Sequence, residues 1–206
     1  MGGDGKHRAS LGVAMCVLGA LAAYVALSGR RGMVAVRSGV NGKEYMVRRA
    51  GDSGAAADRL AVLEQRLRRL LEGAATIMPD DPRVAAIWRR WDGTLAEVEA
   101  ADEVAFSIDK TSVHLCLRDA SGRVEDLNAS TFVMLHELAH VATADYGHSP
   151  EFWANMRFLL ELAERLGVYT YENYDAKRTT FCGHPLGASP LTCLRSRTCR
   201  SALPSP

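Results

Sequence analysis

The feature that most restricts what this chain can fold into is the stretch FVMLHELAHVATADYGHSPEFW, Phe132 to Trp153. Phe132, Val133, Leu135, Leu138, Ala139 and Val141 surround His136, Glu137 and His140, so the segment reads as an apolar helix carrying three polar side chains. Two histidines and a glutamate are costly to bury in such a helix without partners. A metal ion supplies the partner.

His136 and His140 are four residues apart, so on a helix their rings project from one face, one turn apart. That spacing lets two imidazole nitrogens meet one tetrahedral cation at about 2.0–2.1 Å. Glu137 is rotated away from such a cation but reaches a water bound to it. Zinc lowers the pKa of that water towards ~7, and a carboxylate beside it takes the proton during attack on a carbonyl. HExxH thus offers two ligands and a general base in five residues, although matches of this length also arise by chance. A catalytic zinc takes three protein ligands and keeps one open position. His148 is the expected third ligand, because Gly147 before it frees the backbone to turn back. Asp145, Glu161 and Glu164 are the other candidates. Asp145 reads better as a helix end, and the two glutamates read better as a solvated face.

HELAH followed by GHSPEFW resembles the WLM metallopeptidases and the related SprT-like zincins, at His136, Glu137, His140, His148, Phe152 and Trp153. The likeness covers roughly residues 106–174. It implies that the three histidines hold zinc, that Glu137 is the base, and that the substrate is a protein or peptide. It also implies a zincin-like α+β fold: a small β-sheet, an active-site helix and a following helix. The best-known members degrade proteins crosslinked to DNA. This chain departs from them in having no SUMO- or DNA-binding module, and its arginine run Arg66, Arg68, Arg69 lacks the interleaved aromatics of a nucleic-acid site. A DNA–protein crosslink repair protease remains one alternative. A tethered binding protein with a structural zinc is another, and it would need a fourth ligand such as Cys182 or His184.

The N-terminus sets a second expectation. LGVAMCVLGALAAYVAL, Leu11 to Leu27, has no charge, and residues 1–50 hold eight Lys or Arg against Asp4 and Glu44. Length and flanks favour a single membrane anchor over a cleaved signal peptide. The heavier positive flank after the apolar run then puts the catalytic domain in the cytosol. The expected organisation is 1–32 as basic flank and anchor, 33–175 as metallopeptidase domain, and 176–206 as an irregular tail. Five cysteines, Cys16, Cys116, Cys182, Cys193 and Cys199, suggest no disulfide framework and agree with a reducing compartment. A bridge among Cys182, Cys193 and Cys199 stays open if the domain faces a lumen.

Elsewhere the chain is read from periodicity and punctuation. VNGKEY marks a hairpin turn. Leu60, Leu63, Leu67, Leu70 and Leu71 mark an amphipathic helix with Arg59, Arg66, Arg68 and Arg69 mostly on its wet side. Asp81 and Pro82 start a shorter helix, packed by Trp88 and Trp91. VAFSIDKTSVHLCLRD reads as a hairpin whose second strand, VHLCLR, offers an edge to an extended peptide, with His114 as a minor candidate there. Asn128 is the expected cap of the metal helix. Ser149 with Pro150 starts the next helix, which Gly167 stops, and Phe152 and Trp153 pack it against the first. Tyr169, Tyr171 and Tyr174 follow in an extended segment, as packing groups or as a phenol near the zinc.

Overall fold

The computed structural model describes residues 32–100, 103–187 and 189–195. Strands β1 (Met33–Arg37) and β2 (Glu44–Arg48) pair antiparallel around the Asn-Gly turn, where Gly42 takes φ 72°. Helix α1 (Ser53–Ile77) starts at Asp52, whose carboxylate accepts from the Ala55 N–H. It buries Leu60, Leu63, Leu67, Leu70 and Leu71. Helix α2 (Pro82–Arg90) has Asp81 as its cap and proline in its first turn, as the sequence predicts. Trp88 on it is exposed and Trp91 packs on the core.

The central sheet differs from the expected hairpin. A short strand that hydropathy does not reveal, β3 (Thr94–Glu97), lies parallel to β5 (Ser112–Leu115), and β4 (Ala105–Ile108) lies antiparallel on the other side. The order is β3-β5-β4, so both edges of β5 are already paired. VHLCLR therefore cannot accept a peptide by strand addition, and the edge strand that packs on the helix carrying His136 and His140 is β4. His114 stacks face to face on Phe106, 4.8 Å between centroids, which accounts for it as a packed group.

Helix α3 (Leu127–Ala142) carries the HExxH segment through the core, and α4 (Pro150–Arg165) packs along it. The cap of α3 is Asp126, which accepts from the Ala129 N–H at 2.9 Å. Asn128, the expected cap, instead ties α3 to the chain beyond α4: its amide donates to the Thr170 carbonyl at 2.8 Å and accepts from the Thr170 N–H at 3.0 Å. Ser149 caps α4, and Gly167 ends it at φ 66°. The arginines of α1 are not all on a wet face. Arg66 donates to the Thr131 hydroxyl at 2.8 Å, and burial lowers the pKa of both Arg59 and Arg66.

In the tail expected to be irregular after residue 176, the described residues as far as 195 include regular elements. These are α5 (Tyr174–Lys177), the hairpin β6 (Thr180–Phe181) and β7 (His184–Pro185), and α6 (Pro190–Arg195). A disulfide joins Cys182 to Cys116, 66 residues apart, and docks the hairpin on the end of β5. The cysteine assigned to a strand interior is thus half of a bridge, against the expectation of unpaired cysteines in a reducing compartment. Such a bridge needs oxidising conditions to form.

The chain is a mixed α/β structure with small sheets, and two sequence expectations are corrected with it. Among the described residues no helix is long and apolar enough to cross a membrane. The membrane helix added to the α+β class, and the single-pass anchor with a cytosolic catalytic domain, are therefore not supported. Leu11–Leu27, on which that expectation rested, lies outside the described residues.

Candidate metal centre

The apolar faces of α3 are covered on most sides, which leaves His136 and His140 on its one partly open stripe. After Thr143 the chain leaves the helix, turns at Gly147 (φ 80°) and brings His148 back over that stripe. One ring nitrogen from each of His136, His140 and His148 lies within 4.8 Å of the others. The Nε2 atoms of His136 and His148 are 3.0 Å apart. Phe152, fully buried, forms the floor, with its ring 4.9, 4.3 and 4.6 Å from those of His136, His140 and His148. Trp153 flanks the His148 ring at 5.6 Å.

Burial dominates the electrostatics of the site. Burial, with the neighbouring imidazoles, pushes the His136 pKa down to about 3. Burial, then His148 and Lys110, brings His140 to about 4. Both rings are neutral near pH 7, with lone pairs free to bind a cation. Glu137 on the same helix is 6% exposed, and burial alone raises its pKa to about 7. Three imidazoles gathered in this way, with a buried carboxylate on the same helix, can hold a divalent metal ion. The three histidines are a group that could hold such an ion.

The other sequence candidates lie apart from this group. Glu161 pairs with Arg157 at 2.8 Å, and Glu164 accepts from the Tyr171 N–H at 3.1 Å. Asp145 is exposed and outside the group. Cys182 is committed to its disulfide, and His184 is exposed on β7. The tyrosines pack elsewhere. Tyr169 and Tyr174 are buried against Phe132, and Tyr171 reaches Thr192 at 3.4 Å. Burial, with Tyr169 beside it, raises the Tyr174 phenol well above the usual range, which suits a packing role.

Sequence reasoning missed the groups that hold the end of α3. Lys110 Nζ donates to the carbonyls of Thr143, Ala144 and Asp145, and Arg90 to those of Val141 and Thr143. Asn155, buried on α4, donates to the Thr143 hydroxyl at 3.0 Å. No local signal marks these contacts, since each partner is more than ten residues away.

The chain is similar to three proteins described only as uncharacterized. One from Acanthamoeba polyphaga mimivirus is 28% identical over 156 residues, 72% of this chain and 79% of that protein. One from Invertebrate iridescent virus 3 is 42% identical over 69 residues, 33% of this chain and 43% of that protein. One from Invertebrate iridescent virus 6 is 37% identical over 68 residues, 32% of this chain and 38% of that protein. The chain thus spans less than half the length of the two iridescent-virus proteins. No family model matches the chain, and no solved structure matches it.

Proposed function

We propose that this protein is a zinc-dependent peptidase, with His136, His140 and His148 as ligands and Glu137 as general base. The observation that carries the reading is the number of ligands. Three imidazoles converge, and among the described residues no fourth His, Cys, Asp or Glu joins them. Structural zinc sites close with four protein ligands, whereas catalytic ones keep a position open. The donor set fits zinc: three imidazole nitrogens suit a borderline-soft cation better than magnesium or calcium, which prefer oxygen. The disulfide on Cys182 counts against the rival reading of a closed structural site. The resemblance to WLM and SprT-like zincins supports the same assignment.

When bound, zinc would supply Lewis acidity, polarising a carbonyl oxygen and acidifying water at its open position. The chain's own groups do the rest. The carboxylate of Glu137 takes the proton from the attacking water and returns it to the leaving amine nitrogen. Phe152 excludes water from beneath the rings and holds them in place. The outer edge of β4, the edge strand against the metal helix, offers main-chain hydrogen bonds to an extended peptide.

The test is zinc content together with cleavage of a broad peptide library by the full chain, Glu137→Gln and His148→Ala. The expected result is stoichiometric zinc in the parent and in Glu137→Gln, cleavage lost in Glu137→Gln by at least about a hundredfold, and zinc lost in His148→Ala. A parent that binds no zinc, or a Glu137→Gln variant that cleaves like the parent, overturns the reading.

A further inference from the structure

His148 is the least anchored of the three ligands by its own sequence. It follows an exposed run, residues 144–147, and Gly147 sits in open space at φ 80°. Phe152 and Trp153 pack against its ring, and Ser149 after it caps α4; the chain that leads to it is held before the glycine. The carbonyls of Thr143, Ala144 and Asp145 all accept from one ammonium, Lys110 Nζ, at 2.8, 2.5 and 3.0 Å. An ammonium has three protons, so this lysine is fully committed and has none left for a substrate. A cation here also meets the negative end of the α3 dipole.

The turn that delivers Lys110 is unusual in its backbone. Asp109 and Lys110 both take positive φ, 48° and 59°. Two such residues in succession match the twist of a tight hairpin, but asparagine and glycine adopt that conformation at lower cost than lysine does. A lysine kept there is explained by what its side chain reaches. Tyr146 covers the ammonium, which lies 4.6 Å from the ring centroid. Arg90 grips the same helix end from α2, at 2.7 Å to the Val141 carbonyl and 3.0 Å to that of Thr143. Arg90 stops at Thr143, whereas Lys110 extends the grip on carbonyls to Ala144 and Asp145, towards His148, and the Ala144 N–H donates to Glu151 at 3.5 Å.

We infer that Lys110 is a positioning residue of the metal centre: by gathering three successive carbonyls it fixes the exit of α3, and through it the place of His148 beside His136 and His140. Its consequence for metal binding rests on the zinc reading above. Lys110 positions through the backbone and makes no hydrogen bond to a ligand ring; its charge also acts on His140, and Lys110→Arg keeps that charge.

The experiment compares the full chain with Lys110→Met, Lys110→Arg and His148→Ala in two measurements. The first is titration with zinc and with cobalt(II), following affinity and the cobalt absorption bands. Lys110→Met is expected to weaken zinc binding about 10- to 100-fold, the range typical of groups that orient metal ligands. Its cobalt bands should shift, and Lys110→Arg should recover most of both losses. The second is amide hydrogen exchange in the metal-free proteins. Residues 144–148 should exchange at least about tenfold faster in Lys110→Met, while the interior of α3 stays as in the parent. Parent-like affinity, cobalt bands and exchange in Lys110→Met would overturn the inference and leave the zinc reading intact. If the parent binds no metal, the zinc reading fails, and exchange alone decides: faster exchange confined to 144–148 upholds the clamp, and unchanged exchange removes it. Faster exchange throughout α3 would mean general unfolding and would also overturn it.

Discussion

Glu97 and Glu137 are both buried carboxylates, and the protein treats them in opposite ways. Glu97, fully buried on β3, receives Arg118 at 2.6 Å, Arg48 at 3.0 Å and the Arg48 N–H at 2.7 Å. Glu137 is almost as deeply placed, yet burial alone governs its pKa and raises it to about 7. A carboxylate supplied with two guanidinium groups joins β2, β3 and the segment after β5 into one unit. One left without a cation beside three histidines adds nothing evident to the architecture, which agrees with the general-base role proposed for it.

The largest effect should come from breaking the paired site. Glu97→Gln leaves Arg118, 3% exposed, without its counter-charge, and is expected to cost about 3–5 kcal/mol in urea unfolding. Removing the Cys116–Cys182 bridge beside it, by Cys182→Ser or reduction, should cost about 4 kcal/mol on loop-closure entropy for a separation of 66 residues. Glu64 sharpens the comparison as an intermediate case. It accepts from Tyr45 at 2.5 Å, Lys43 at 2.9 Å and Arg68 at 3.1 Å. Burial alone would raise its pKa, but these hydrogen bonds hold it below the ordinary 4.5. Its contribution is present above that value and is lost as pH falls through the lower folded one. Between about pH 5 and pH 2 the parent should therefore lose more stability than Glu64→Gln, which costs about 1–3 kcal/mol at neutral pH. The smallest effect belongs to the unpaired site. In metal-free protein Glu137→Gln should leave stability unchanged or raise it by up to about 1 kcal/mol, since a neutral amide replaces a buried charge. A loss above about 2 kcal/mol would place Glu137 among the structural carboxylates, and the contrast with Glu97 would be gone.

What the sequence made legible was local. The leucine spacing of α1, Asp81 before Pro82, Ser149 before Pro150 and the four-residue step from His136 to His140 depend on neighbours within a turn or two, and each falls where it was expected. The meeting of His148 with the other two depended on one glycine, which was also visible. What escaped the sequence was decided at long range. Four residues at Thr94–Glu97 are too few for a hydropathy period, and only pairing with β5 makes them a strand. Asp126 won the cap from Asn128 because Thr170, 42 residues on, engages both polar ends of the Asn128 amide. Cys116 and Cys182 carried no spacing signal, and the apolar run over Leu11–Leu27 was read from its length and charged flanks.

The Cys116–Cys182 bridge encloses α3, the His148 segment and α4 in a single covalent ring. The exposed residues 144–147 lie inside that ring and are the natural place for a protease to cut. A molecule nicked there stays whole: it would migrate as one band until reductant is added and as two afterwards. Intact mass on a non-reducing gel therefore says nothing about whether the chain that presents His148 is still continuous.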